Sequence, residues 1–194
     1  MDVIEYLEGQ VRTLVTQEIV ELAEQYAAGR IAGTGHFSIP REVFCYVDHL
    51  GDLAFGGQPP TIRAISYLRE YFPPDYADVA GLLVAMWRHG TVHNLLPRSY
   101  KDSVGDPPKA LHVRWLSANH DQSRERGAHL LFYPIKGQPG SAYLVMNTPQ
   151  LAEDLLSSIN SFLERLPGDP QLKADADARL RSLRAPQNLA SIEG

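Results

Sequence analysis

The sequence holds a single cysteine, Cys45, in 194 residues. No disulfide can close within one such chain, which excludes a disulfide-stapled scaffold and points to a reducing compartment. Long apolar runs are missing too: none approaches the roughly 20 residues that span a bilayer, so no membrane partner is expected. The opening residues, Met1-Asp2-Val3-Ile4-Glu5, are acidic where a secretory leader is basic. Together these features predict a cytoplasmic protein. There is no Gly-x-x-x-x-Gly-Lys and no Gly-x-Gly-x-x-Gly, so phosphate-loop and dinucleotide folds have no support. There is no Gly-x-Ser-x-Gly elbow and no Cys-x-x-Cys. No cofactor is expected, and the chain has neither an internal repeat nor a low-complexity tract.

Positive charge is scarce over the first half. Residues 1–87 carry 5 basic and 12 acidic side chains, whereas residues 88–126 carry 7 basic and 4 acidic. The middle stretch also holds His89, His93, His112 and His120. An anionic partner would meet the protein there.

What remains is an ordinary globular composition, 44% hydrophobic and 21% charged. A chain of this length buries about 70% of its unfolded surface, so residues 1–194 are expected to form one domain. Leu7, Val11, Leu14, Val15, Ile19, Leu22 and Tyr26 recur at steps of three and four and predict a helix over 3–28. Further helices are expected at roughly 40–55, 61–71 and 75–89, with Val43, Phe44, Val47, Leu50 and Leu53 turned inward. Cys45, set in Val43-Phe44-Cys45-Tyr46-Val47, is expected to be a buried, inert thiol. Residues 94–109 read as an irregular loop. Ala110–Leu116, His129–Lys136 and Ser141–Asn147 read as strands, the last two joined by the turn Gly137-Gln138-Pro139-Gly140. Thr148-Pro149 opens a long helix to about 166, with Thr148 as its cap. Residues 171–184 read as a weak, charged, mostly exposed helix and the last ten as a tail. The fold class is therefore α+β: an N-terminal bundle of about four helices (about 1–95), a three-stranded antiparallel meander and a long C-terminal helix (about 108–167).

Chemistry concentrates in Trp87-Arg88-His89-Gly90-Thr91-Val92-His93. Arginine presents a planar fork of donors that fits a phosphate bidentately. Histidine titrates near neutrality and moves protons as acid or base. Arg88 and His93 thus supply the two parts that a metal-free ribonuclease needs. On a regular α-helix, five residues put them roughly 140° apart, so the reading requires Gly90 to bend or end the helix, or two subunits to share a site. Arg98, Lys101 and Arg114 extend the positive surface as candidate substrate-binding residues.

The pattern of arginine, polar residue, three residues and histidine, at the end of helical segments, resembles the HEPN superfamily. That resemblance implies a metal-independent ribonuclease or RNA-binding relative acting as a homodimer. Arg88 and His93 would be catalytic and His89 would hold the polar position. Alternatives stand beside it. His89 and His93 share the spacing of two metal ligands, which would make a metal-dependent hydrolase with a third ligand from His112, His120, His129 or Asp102. A structural role is also open, with Arg88 paired to a carboxylate of the acidic helices and His93 at a helix C-terminus. The chain would then be a non-enzymatic interaction module, its acidic helices the partner surface.

Overall fold

The structure, a computed structural model, describes residues 1–31, 35–92, 100–104, 109–118 and 129–185. The first helix, α1 (3–27), is continuous but changes its winding. It is α-wound at Val3–Tyr6, Arg12–Leu14 and Glu21–Ala27, and π-wound at Leu7–Val11 and Val15–Val20. The amides of Arg12 and Glu21 donate to the carbonyls of Leu7 and Thr16, each five residues back. The sequence explains why. Val3, Leu7, Val11, Val15, Ile19 and Ala23 are buried at a strict step of four. On a pure α-helix that step drifts about 40° each time. A π-turn of about 4.4 residues drifts the other way, so mixed winding keeps one seam against the core. Leu14, expected inside, is instead 42% exposed.

Helix α2 (Gly35–Phe55) is the central strut, burying Ile39, Val43, Phe44, Val47, Leu50 and Leu53. It packs on α3 (Pro60–Tyr71) and on α4, which begins at Ala80–Leu83 and continues π-wound over Val84–Val92. The expected fourth helix over 75–89 is therefore divided: a 3-10 turn, Pro74–Tyr76, precedes α4. Gly90 does not end the helix, which reaches Val92. Cys45 is exposed on the outer face of α2 rather than buried. Partial burial, with Glu42 and Asp48 nearby, still pushes its thiol pKa up.

The sheet corrects the expected meander. Among the described residues it has four strands in the order β1-β2-β4-β3, where β1 is Tyr100–Val104, β2 Lys109–Ala118, β3 Leu131–Pro134 and β4 Ser141–Asn147. β1 falls in the stretch read as irregular loop. β2 pairs with β4 in parallel, and β3 pairs antiparallel on the other side of β4. The hairpin signal holds: Gly137 and Gly140 take φ of 77° and 72°, and Ile135 N–H donates to Ser141 O at 2.9 Å. A central strand is flanked on both sides. β4 alternates at first, burying Ala142 and Leu144 between half-buried Ser141 and Tyr143, and then buries Leu144, Val145, Met146 and Asn147 without a break.

Helix α5 (Thr148–Arg165) follows β4 directly. Its cap is Asn147, not Thr148: the Asn147 side chain accepts from Gln150 N–H at 3.1 Å. Leu151, Leu155, Ile159 and Phe162 pack into the shared core. Helix α6 (Pro170–Arg184) is pinned rather than weak. Asp177 accepts the backbone N–H of Val3 at 2.6 Å, and Lys173 bridges Asp2 and Asp177 at 3.1 and 2.9 Å. Arg179 grips Asp52 of α2 at 2.8 and 2.9 Å, and Arg63 of α3 meets the same carboxylate. The N-terminal helices thus do not close on themselves, because α5 and α6 complete their packing. Among the described residues, no helix is long and apolar enough to cross a membrane.

Candidate functional site

Trp87 fixes the start of the chemical segment. It is fully buried, its ring parallel to that of Phe44 with centroids 6.4 Å apart. One helical turn beyond Phe44 on α2 lies Asp48, which therefore faces the residue after Trp87. Arg88 Nε donates to both carboxylate oxygens of Asp48, at 2.6 and 2.7 Å. The arginine side chain is 13% exposed and the aspartate 29%, so the pair sits at the rim of the core. Among the described residues, no hydrogen bond reaches the two terminal nitrogens of Arg88. Its expected structural alternative, a carboxylate partner on the acidic helices, thus exists in Asp48, yet the pairing uses Nε alone.

The other expected residues are only partly visible. His89 lies on the π-wound part of α4, its side chain outside what is described. His93 and Arg98 lie outside the described residues. Lys101 is on β1 opposite His112, and Arg114 is two positions further along β2. Register therefore places positions 101, 112 and 114 on one face of the sheet. Of the candidate third metal ligands, His120 lies outside the described residues. Among the described residues, no group of three His, Cys, Asp or Glu is arranged to hold a metal.

A second polar cluster was not picked out by the sequence reading. Asn147 N–H donates to His129 Nδ1 at 3.0 Å, so the neutral imidazole carries its proton on Nε2. That atom lies 2.8 Å from the Tyr76 hydroxyl, which donates to Asp154 Oδ2 at 2.8 Å. Gln150 Nε2 donates to Asp154 Oδ1 at 2.9 Å. The chain of bonds runs in one sense, from backbone amide to carboxylate. Burial lowers the His129 pKa to about 4, raises that of Asp154 and, with the Asp154 charge adding, raises Tyr76 further. The cluster lines an open cleft of about 310 Å³ with Pro73 and Asp75.

Local backbone aims the histidine. Leu131 stands opposite Val145 in the β3–β4 register, yet Leu130 N–H also donates to Val145 O at 2.8 Å. Two residues oppose one, which is a β-bulge. Leu130 takes φ of 57°, a conformation that favours glycine. A carboxylate on the apolar stripe of α5, Asp154 beside Leu151 and Leu155, was the sequence signal for this cluster.

No protein family, curated protein or solved structure matches this chain.

Proposed function

We propose that the protein binds RNA and cleaves it without a metal ion, Arg88 holding the scissile phosphate and His93 transferring the proton. The observation that carries this reading is the winding of α4. The sequence objection was that positions five apart on an α-helix face about 140° away from each other. In a π-wound helix the same positions are only about 50° apart. The π turns cover Val84–Val92, the whole stretch from Arg88 to the residue before His93. A π segment also suits Gly90, whose missing side chain tolerates irregular winding, and such segments recur at functional sites.

The chemistry needs no other group. His93, neutral, takes the proton from a ribose 2′-hydroxyl as that oxygen attacks phosphorus. The bond to the 5′ oxygen breaks and that oxygen takes a proton from water, leaving a 2′,3′-cyclic phosphate and a 5′-hydroxyl end, while His93 gives its proton back to solvent. Arg88 stabilises charge on the non-bridging oxygens. The basic residues of 88–126 supply the field that draws a polyanion in.

The test is cleavage of a mixed set of RNAs in excess chelator. Wild type should yield cyclic-phosphate ends. His93→Ala should lower the rate at least a hundredfold while retaining RNA, in line with loss of an acid–base group. Activity lost to chelator would favour the His89/His93 metal reading. Neither cleavage nor RNA binding by wild type would sink the proposal and leave the interaction-module reading.

A further inference from the structure

We propose that Asp48 is a positioning residue: it holds Arg88 by Nε so that both terminal nitrogens of the guanidinium face a phosphate. This rests on the Arg88/His93 reading above. A guanidinium is planar, so fixing its Nε–H fixes the plane and the direction of the remaining donors. Both oxygens of Asp48 close on that one atom, at 2.6 and 2.7 Å. A purely structural ion pair gains most from the fork, with two parallel bonds that use a terminal nitrogen. The molecule contains such a pair for comparison. Arg179 meets Asp52 through Nε and a terminal nitrogen together. Arg88 forgoes that geometry, and its terminal donors meet no partner among the described residues.

The support beneath Arg88 is rigid. Asp48 follows the buried Val47 on α2, and Trp87 beside Arg88 is locked against Phe44. The carboxylate stays 29% exposed and the arginine 13%, so the pair sits at the rim of the core.

This arrangement has a cost with a recognisable signature. A carboxylate beside a phosphate site repels the phosphate, so Asp48 trades affinity for orientation. Removing its charge should therefore move binding and turnover in opposite directions. A merely structural salt bridge would change stability without that split.

The experiment uses the full chain and one single-stranded RNA of mixed sequence. Single-turnover cleavage is measured for wild type, Asp48→Asn, Asp48→Glu and Arg88→Lys. RNA affinity is measured for each in a His93→Ala background, and thermal melts check folding. Asp48→Asn should cut the rate about tenfold or more, since misplacing a reacting group is costly, while binding RNA as tightly as wild type or tighter at low salt. Asp48→Glu should recover part of the rate. Arg88→Lys should keep affinity and lose rate, because an ammonium has no Nε to be held; it carries the test if Asp48→Asn does not fold. An unchanged rate in Asp48→Asn or Arg88→Lys overturns the inference, as do equal losses of rate and affinity. A wild type that neither binds nor cleaves RNA overturns the reading beneath it, and is told apart because Asp48 then never enters the comparison.

Discussion

Gly51 is a residue whose importance comes from what it lacks. A Cβ there would stand 2.9 Å from the carbonyl oxygen of Arg63 and 3.1 Å from its carbon, both backbone atoms of α3. Neither can swing aside as a side chain would. Gly51→Ala should therefore force α2 and α3 apart and destabilise the fold by about 1–3 kcal/mol, the usual cost of overpacking. A urea melt measures this, and a midpoint unchanged or raised would contradict the close approach. The gain in helix propensity from alanine, up to about 1 kcal/mol, works in the opposite direction and limits the loss. At this scale the sequence was uneven. Phe44, Val47 and Trp87 are buried as their spacing demanded. Cys45 was misread because its neighbours are apolar. Its helical position, about 200° from both Val43 and Val47, already placed it on the outer face. His129 and Asp154 were legible only as oddities, a histidine before an apolar strand and a carboxylate on an apolar stripe. Their meeting with Tyr76 depends on pairing that no local pattern encodes.

At the scale of elements, helix existence followed from periodicity, but winding did not. The seam of α1 repeats every four residues, a period that belongs to neither α nor π geometry alone. The steps of three and four group Leu14 with Ile19, although five positions on an α-helix stand about 140° apart. In the structure Ile19 is 1% exposed and Leu14 42%. Ile19→Ala should cost about 2–5 kcal/mol, as for other buried aliphatic truncations. Leu14→Ala should stay within about 1 kcal/mol. Chemical denaturation of the two variants side by side decides this, and equal losses would contradict a seam that buries Ile19 and leaves Leu14 outside. The same lesson reaches the candidate site, since the Arg88-to-His93 spacing is unreadable until the local winding is known. The sheet failed differently. Each strand except β1 was found, but the parallel pairing of β2 with β4 is a contact between segments more than 20 residues apart. Sequence alternation states which residues face inward, not which strand lies alongside.

For the whole molecule, the Tyr76–His129–Asp154 cluster joins the sheet to the helices and links stability to pH. His129 reaches it from the edge of β3, Asp154 from α5 and Tyr76 from the turn before α4. The His129 pKa falls from the ordinary 6.5 to about 4 on folding, because burial disfavours the imidazolium. Protonating Nδ1 would also cost the bond from Asn147 N–H. The unfolded chain then binds a proton that the folded one refuses. The contribution of His129 is fully present above pH 6.5 and is lost as pH falls from 6.5 toward 4, by about 3 kcal/mol at most. Asp154 acts in the opposite sense. Its pKa is raised on folding, so the folded form takes up a proton more readily and regains stability at the acid end of the same range. It also lies 3.5 Å from His129 Nε2, close enough to favour a charged imidazole and reduce the loss. His49, with its pKa lowered by burial against Tyr6, adds a smaller loss of the same sign as His129. Urea midpoints measured at half-unit steps from pH 7.5 to 4 should thus decline below 6.5 and flatten near the acid end. In His129→Gln, which keeps a polar side chain without the titration, the curve should start lower and decline less. A variant whose midpoint falls in parallel with wild type would show that His129 does not carry the linkage, and that the cluster is held together by Tyr76 and Asp154 alone.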